Sequence, residues 1–358
     1  MTHAFDPAKA EAFAGSLMSV LNHGALTLMI SIGHRTGLFD AMTGRPPSTS
    51  AEIAAAAGLN ERYVREWLGA LTTGRIVEVD EASRLYSLPA EHAVYLTRAG
   101  GADNMARVAQ YVPMLGGVEE DILAAFREGG GVPYDQYPRF QEIVGEGSAQ
   151  TVVASLESHV LPLVPVLGTR LSSGINVLDL GCGSGRILNR LAALFPASRF
   201  TGLDLSAGSI ATAQAEARAA GLTNCEFAVR DLSDFGETAP VQAFELIVTF
   251  DAVHDHPSPL GLLRGIHRAL TGDGIYLMQE IKASSYVRNN LDHPLGPLLY
   301  AISTMHCLPV SLAQGGDGAG AMWGEERLRE RLTDAGFSSV TKHEMPQDVQ
   351  NSWYVIRK

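Results

Sequence analysis

From Asn176 onward, short apolar runs alternate with amphipathic stretches. Residues 177–180, 199–203, 225–229, 246–250 and 274–280 are rich in branched and aromatic side chains without polar alternation. That pattern predicts strands buried on both faces. Residues 186–194, 209–220 and 261–270 lie between them with apolar positions at helical spacing. Strand and helix in turn predict a parallel sheet covered on both sides. A helix over 325–335 and a closing strand pair over 340–344 and 352–356 complete the expectation.

The first hundred residues follow another pattern. Ser50 stands before residues 51–54, and Asn60 before residues 61–65, so each offers a capping side chain at a predicted helix start. Gly58-Leu59 supplies the turn between them. Residues 76–79 and 85–88 flank a polar turn over 80–84, which predicts a two-stranded wing. The sum is a winged helix-turn-helix. Upstream, Phe13, Leu17, Val20 and Leu21 recur at helical spacing, an apolar stripe that wants a partner and so predicts a homodimer. Residues 102–165 read as a helical connector, broken at Gly129-Gly130-Gly131-Val132-Pro133 and suited to form a lid. The expected division is a winged-helix dimerisation domain over 1–100, a connector over 101–165 and an α/β domain over 166–358.

Charge narrows the function of the winged helix. Between Ser48 and Arg98 five arginines face seven acidic residues, a net of −2. A module that reads DNA carries a basic footprint. The whole chain of 358 residues has a formal charge of −12, whose summed field disfavours nucleic acid and anionic membrane surfaces. The three cysteines, Cys182, Cys225 and Cys307, are far apart with no zinc spacing, which fits a reducing compartment and predicts no metal. The longest early apolar run, 26–32, falls short of the roughly 20 residues that a membrane span needs. A cytoplasmic protein acting on a small molecule is the expectation.

The chemistry gathers at the strand ends. Val177-Leu178-Asp179-Leu180-Gly181-Cys182-Gly183-Ser184-Gly185 is a buried strand running into a glycine-rich turn before a helix, where backbone can approach a ligand closely. A dinucleotide fingerprint needs glycine at 186, where Arg186 stands, and no lysine follows for a triphosphate loop. Asp204 ends the next strand about twenty residues on, placed to accept both ribose hydroxyls. Asp231 ends the third, placed to meet an adenine amino group. Adenosine without pyrophosphate is indicated.

These residues resemble the class I S-adenosylmethionine-dependent methyltransferases over about 176–358. The resemblance implies a Rossmann-like α/β domain with a seven-stranded mixed sheet, preceded by the mainly helical winged-helix domain. It implies that Asp179 and the backbone of Gly181, Cys182 and Gly183 serve the methionine part of S-adenosylmethionine. Asp204 with Leu205 would hold the ribose, Asp231 and Leu232 the adenine, and Phe250 would border the sulfonium.

After the fourth strand comes Phe250-Asp251-Ala252-Val253-His254-Asp255-His256-Pro257. It resembles the His-Asp pair of small-molecule O-methyltransferases that carry an N-terminal winged-helix dimerisation domain, and more closely the bacterial members. Their C-terminal stretch is similar to His293-Pro294-Leu295-Gly296-Pro297 through Met322-Trp323-Gly324. Where those enzymes have tryptophan, this chain has His256. The resemblance makes His254 the expected general base toward an acceptor hydroxyl, oriented by Asp255, with a pKa near 6.5. Tyr134, Phe140, Glu280 and His306 are candidates for the acceptor pocket. Two other readings remain: a ligand-sensing winged-helix regulator, and an S-adenosylmethionine-binding enzyme without methyl transfer.

Overall fold

The computed structural model describes residues 4–80, 82–345 and 348–358. The chain divides into two compact units, one ending at Pro113 and one beginning at Met114.

The first unit starts with a long helix, Pro7–Thr36. Asp6 caps it by accepting from the backbone N–H groups of Ala8 and Lys9, and Gly37, at φ 73°, stops it. Helix Ser50–Ala57 has a reciprocal capping box: Thr49 accepts from Glu52 N–H while Glu52 accepts from Thr49 N–H. The cap is therefore Thr49, one residue before the expected Ser50, because only Thr49 has a glutamate three positions on. Asn60 caps helix Glu61–Thr73 as expected. Strands β1 (Glu78–Asp80) and β2 (Leu85–Ser87) pair antiparallel as the wing. Phe39, Ile53, Trp67, Leu68 and Leu71 form the buried core beneath.

The second unit holds a seven-stranded sheet: β3 (Asn176–Leu180), β4 (Arg199–Asp204), β5 (Cys225–Val229), β6 (Phe244–Phe250), β7 (Leu270–Ile281), β8 (Ser339–His343) and β9 (Asn351–Arg357). Their order is β5-β4-β3-β6-β7-β9-β8, parallel from β5 to β7 and antiparallel for β9 and β8. Helices Arg186–Leu194, Ala207–Ala219 and Pro259–Ala269 cross between strands. Two apolar clusters fill the faces, one around Val177, Leu188, Phe200 and Trp353, the other around Leu178, Ile247, Leu263 and Tyr276. Val177 and Leu178 fall in opposite clusters because successive strand side chains point to opposite faces. Strand order reverses between β3 and β6, and open α/β sheets bind ligands at such a point, beyond the carboxyl ends of the strands.

Candidate active site

The glycine turn after β3 is built for close approach. Gly181 has φ 78°, and a Cβ there would stand 2.7 Å from that of Ala252. At Gly185, φ 67°, a Cβ would stand 2.5 Å from Phe227 and 2.6 Å from Ala213, so only glycine lets the following helix settle on the sheet. Asp204, at the end of β4, ties this turn down. One carboxylate oxygen accepts from Gly183 N–H and the other from Ser206 N–H, both at 2.8 Å. Burial pushes the Asp204 pKa up, against the pull of those two donors.

A cavity of about 680 Å³ opens here. Its lining includes Gly181, Gly183, Asp204, Leu205, Asp231, Leu232 and Phe250. Asp179 and Cys182 instead line an adjoining pocket of about 50 Å³ with Gln141, Ser148 and Arg186. All nine expected cofactor residues thus border two neighbouring spaces. Asp179 is buried, with Oδ1 lacking a hydrogen-bond partner among the described residues. Burial, then the nearby Asp204, holds its pKa well above the usual carboxylate range. Asp231 is different: exposed, with Oδ1 accepting from Ser233 N–H at 2.8 Å, which lowers its pKa. An orphaned buried oxygen on Asp179 and a glycine cradle fit a ligand with polar groups strung along a small frame, as in the amino-acid and ribosyl parts of S-adenosylmethionine.

Tyr134 and Phe140 line the large cavity; Glu280 and His306 do not. Both are buried behind the wall. His306 stacks on Phe140 at 4.0 Å between ring centres and meets Tyr137 edge-on at 4.6 Å. Burial draws its pKa down to about 4, so the ring is neutral. It comes from a π-helical turn, Ser303–Cys307, that buries His306 and Cys307 side by side. Such turns interrupt α-helices at functional sites.

His254 is also buried and does not line the large cavity. Its Nδ1 lies 2.7 Å from Glu280 Oε2, and its Nε2 lies 3.4 Å from Asp255 Oδ1. The closest orienting partner is therefore Glu280, at the end of β7, since β6 and β7 pair directly, Phe250 against Gln279. Trp323 Nε1 donates to Glu280 Oε2 at 3.3 Å, and Tyr134 Oη donates to Asp255 Oδ2 at 3.0 Å. Burial alone would lower the His254 pKa, but Glu280 and Asp255 together carry it well above 6.5, and the expected value near 6.5 is corrected upward.

Asp251 lay outside the sequence expectation. It follows β6 at φ 51°, lines the cavity, and has Oδ1 without a hydrogen-bond partner among the described residues. Burial, then Glu280, pushes its pKa up to about 8. The available signal was an acid at a strand end next to Phe250. His256, in the place of the expected tryptophan, accepts from Ser258 N–H through Nδ1 at 3.0 Å and lines the cavity.

Comparison with known proteins agrees with this fold. Residues 24–98 match the Rv2258c-like winged HTH domain, and residues 171–324 match a methyltransferase domain. A trans-aconitate 2-methyltransferase of Acidovorax sp. (strain JS42) is 26% identical over 52% of this chain and 69% of its own. The chain spans 38% to 69% of the length of the curated relatives it matches. A solved putative O-methyltransferase from Nostoc punctiforme shares the fold at a TM-score of 0.72 and 18% identity, over 99% of this chain and 100% of that one. Human N-acetylserotonin methyltransferase does so at 0.63 and 18%, over 100% and 99%. The chain therefore joins a winged helix-turn-helix domain to a class I S-adenosylmethionine-dependent methyltransferase domain.

Proposed function

We propose that this chain methylates a hydroxyl group on a small-molecule acceptor, with His254 as general base. S-adenosylmethionine supplies the electrophilic methyl carbon. The observation that carries the reading is the buried His254–Glu280 pair at the ends of two adjacent strands, behind the cavity wall. A hydroxyl must lose a proton as it is alkylated, and an imidazole held at one nitrogen by a carboxylate is oriented to take that proton at the other. Glu280 holds Nδ1, and Nε2 faces Asp255, which lines the wall, so the acceptor hydroxyl reaches the ring on the Asp255 side. Asp179, Gly181, Cys182 and Gly183 serve the amino-acid end of the cofactor. Asp204 and Leu205 serve the ribose, Asp231 and Leu232 the adenine, and Phe250 the reacting end. Tyr134 and Phe140 face the acceptor, with His306 and Glu280 behind them.

Charge favours a hydroxyl over a carboxylate such as the one in the trans-aconitate relatives' name. Asp135, Asp204, Asp231 and Asp255 all line the cavity, beside an Asp251 that its raised pKa of about 8 leaves without charge at neutral pH. The basic side chains on its lining, Arg139 and Arg230, are engaged by Glu142 and Asp234. An anionic acceptor would meet net repulsion.

The test is incubation of the purified chain with methyl-labelled cofactor and a small-molecule extract, followed by alkaline hydrolysis. Label in a base-stable methyl ether supports the reading. Label in a base-labile ester, or in protein or nucleic acid, refutes it.

The same reading makes the first unit the interface of a cytoplasmic homodimer. Helix Pro7–Thr36 exposes Phe13, Leu17, Met18, Val20 and Leu21. Among the described residues it is also the helix long and apolar enough, by length and composition, to cross a membrane. A second copy is the favoured cover, because Ser31, Gly33 and His34 of this same helix are already buried within the first unit.

A further inference from the structure

We propose that His254, Asp255 and Cys307 form a site for one thiophilic divalent cation of the zinc class. The inference goes beyond the methyl transfer proposed above and does not depend on it. All three residues are buried, and one donor atom from each lies within 4.8 Å of the other two. A tetrahedral zinc ion holds nitrogen and oxygen at about 2.0–2.2 Å and sulfur at about 2.3 Å, which spaces its ligand atoms roughly 3.3–3.8 Å apart. His254 Nε2 and Asp255 Oδ1 stand 3.4 Å apart, which is that spacing. Asp255 Oδ1 has no hydrogen-bond partner among the described residues, although it is buried. Its ion-pair neighbour is the His254 ring, and a cation here would take the place of the ring's Nε2 proton.

The surroundings are those of a ligated histidine. Glu280 takes the far nitrogen of His254 at 2.7 Å and is itself held by Trp323. This carboxylate–histidine arrangement fixes the tautomer and ring orientation of metal-binding histidines. Tyr134 Oη pins the other oxygen of Asp255 at 3.0 Å. A route exists, because Asp255 and Tyr134 both line the large cavity. One neutral imidazole, one carboxylate and one thiolate bring two negative charges to a dication. The thiol proton and the Nε2 proton of the protonated ring leave to solvent as the bonds to the metal form, and the other ring proton stays at Nδ1 toward Glu280. The sulfur ligand selects zinc, cobalt or copper over magnesium and calcium. A cation here takes Nε2 of His254, so it withdraws the proposed base.

The experiment uses the full chain, stripped with chelator and titrated with Co²⁺, then with Zn²⁺. The expected result is one ion per chain, with a thiolate-to-cobalt charge-transfer absorption that Zn²⁺ displaces. Cys307→Ser should abolish the band while Cys225→Ser keeps it, and Glu280→Gln should weaken binding about 10–100-fold. In the unmodified chain Zn²⁺ should protect Cys307 from alkylation, mapped by mass spectrometry, a readout that needs no variant to fold. Absence of the band, its survival in Cys307→Ser, or alkylation of Cys307 at an unchanged rate with Zn²⁺ would overturn the proposal.

Discussion

Replacing Asp204 with asparagine removes one negative charge from the expected ribose site. In the free protein each carboxylate oxygen already accepts one backbone N–H, from Gly183 and from Ser206. An ionised carboxylate has about four acceptor sites, so two remain for a ribose diol. Hydrogen bonds to a charged group contribute about 1.5–3 kcal/mol each, so a pair gives roughly 3–6 kcal/mol. Burial of Asp204 subtracts from this, because its carboxylate is partly desolvated before any ligand arrives. A net loss of about 2–4 kcal/mol follows, or roughly 30- to 1,000-fold in Kd. Asparagine adds a local fault: its amide nitrogen must face either Gly183 N–H or Ser206 N–H, donor against donor. Calorimetry with S-adenosylhomocysteine at fixed pH measures the loss directly. Thermal denaturation checks it: ligand at 100 times the wild-type Kd stabilises wild type by about 2.7 kcal/mol but a 100-fold weaker variant by only about 0.4 kcal/mol. Asp231→Asn should cost about tenfold or less, since Asp231 is exposed and one oxygen is spent on Ser233. An Asp204→Asn variant within threefold of wild type would refute the assignment of the ribose to Asp204.

Asp179→Asn should raise the melting temperature while weakening cofactor binding. Its carboxyl has a folded pKa above the unfolded value, so its stabilising contribution is whole below about pH 3.9 and is lost as pH rises through the folded value; a melting temperature unchanged at pH 7 would count against this. His254→Gln should lower turnover by about 10²–10⁴-fold with cofactor affinity kept, and near-normal turnover would make the ring a structural residue. The wild-type rate should rise with pH through an ionisation above 6.5, because the base acts only after losing its proton and Glu280 and Asp255 favour the protonated ring. Glu280→Gln should move that limb to lower pH, and an unmoved limb would mean that another group titrates. Leu17→Asp with Leu21→Asp should convert a dimer to a monomer in sedimentation, and a monomeric parent chain would remove the proposed interface.

The sheet was legible because doubly buried parallel strands cannot hide: residues 177–180 and 246–250 hold their apolar character on both faces, and the structure places β3 and β6 over them. The glycine turn and Asp204 were legible for a related reason, since strand, turn and acid follow one another along the chain. The Ser50 cap was misplaced by one residue because Thr49 and Ser50 both carry a hydroxyl, and the distance to Glu52 decides between them. The partner of His254 was harder to read. Glu280 lies 26 residues away and becomes a neighbour only through the pairing of β6 with β7. Cys307 and His306 were harder still, because the π-helical turn that buries both breaks the helical period from which their directions would be inferred.

The acids around the cavity divide into two kinds, and the strand order explains why. On the β4 and β5 side, Asp204 and Asp231 are ringed by backbone N–H donors from the turns that follow each strand. Those donors are fixed by the fold: they lower the Asp231 pKa and oppose the upward push of burial on Asp204. On the β6 and β7 side, Asp255 and Glu280 share one imidazole, and Asp251 stands with a pKa raised to about 8, protonated at neutral pH. Here charge is balanced by a proton that can move, and the groups are buried. The reversal of strand order between β3 and β6 puts the two kinds on opposite banks of one cavity. One bank is suited to hold a ligand in place and the other to change the protonation of what arrives beside it. A mutation on the first bank should therefore act on affinity and one on the second on rate and its pH dependence.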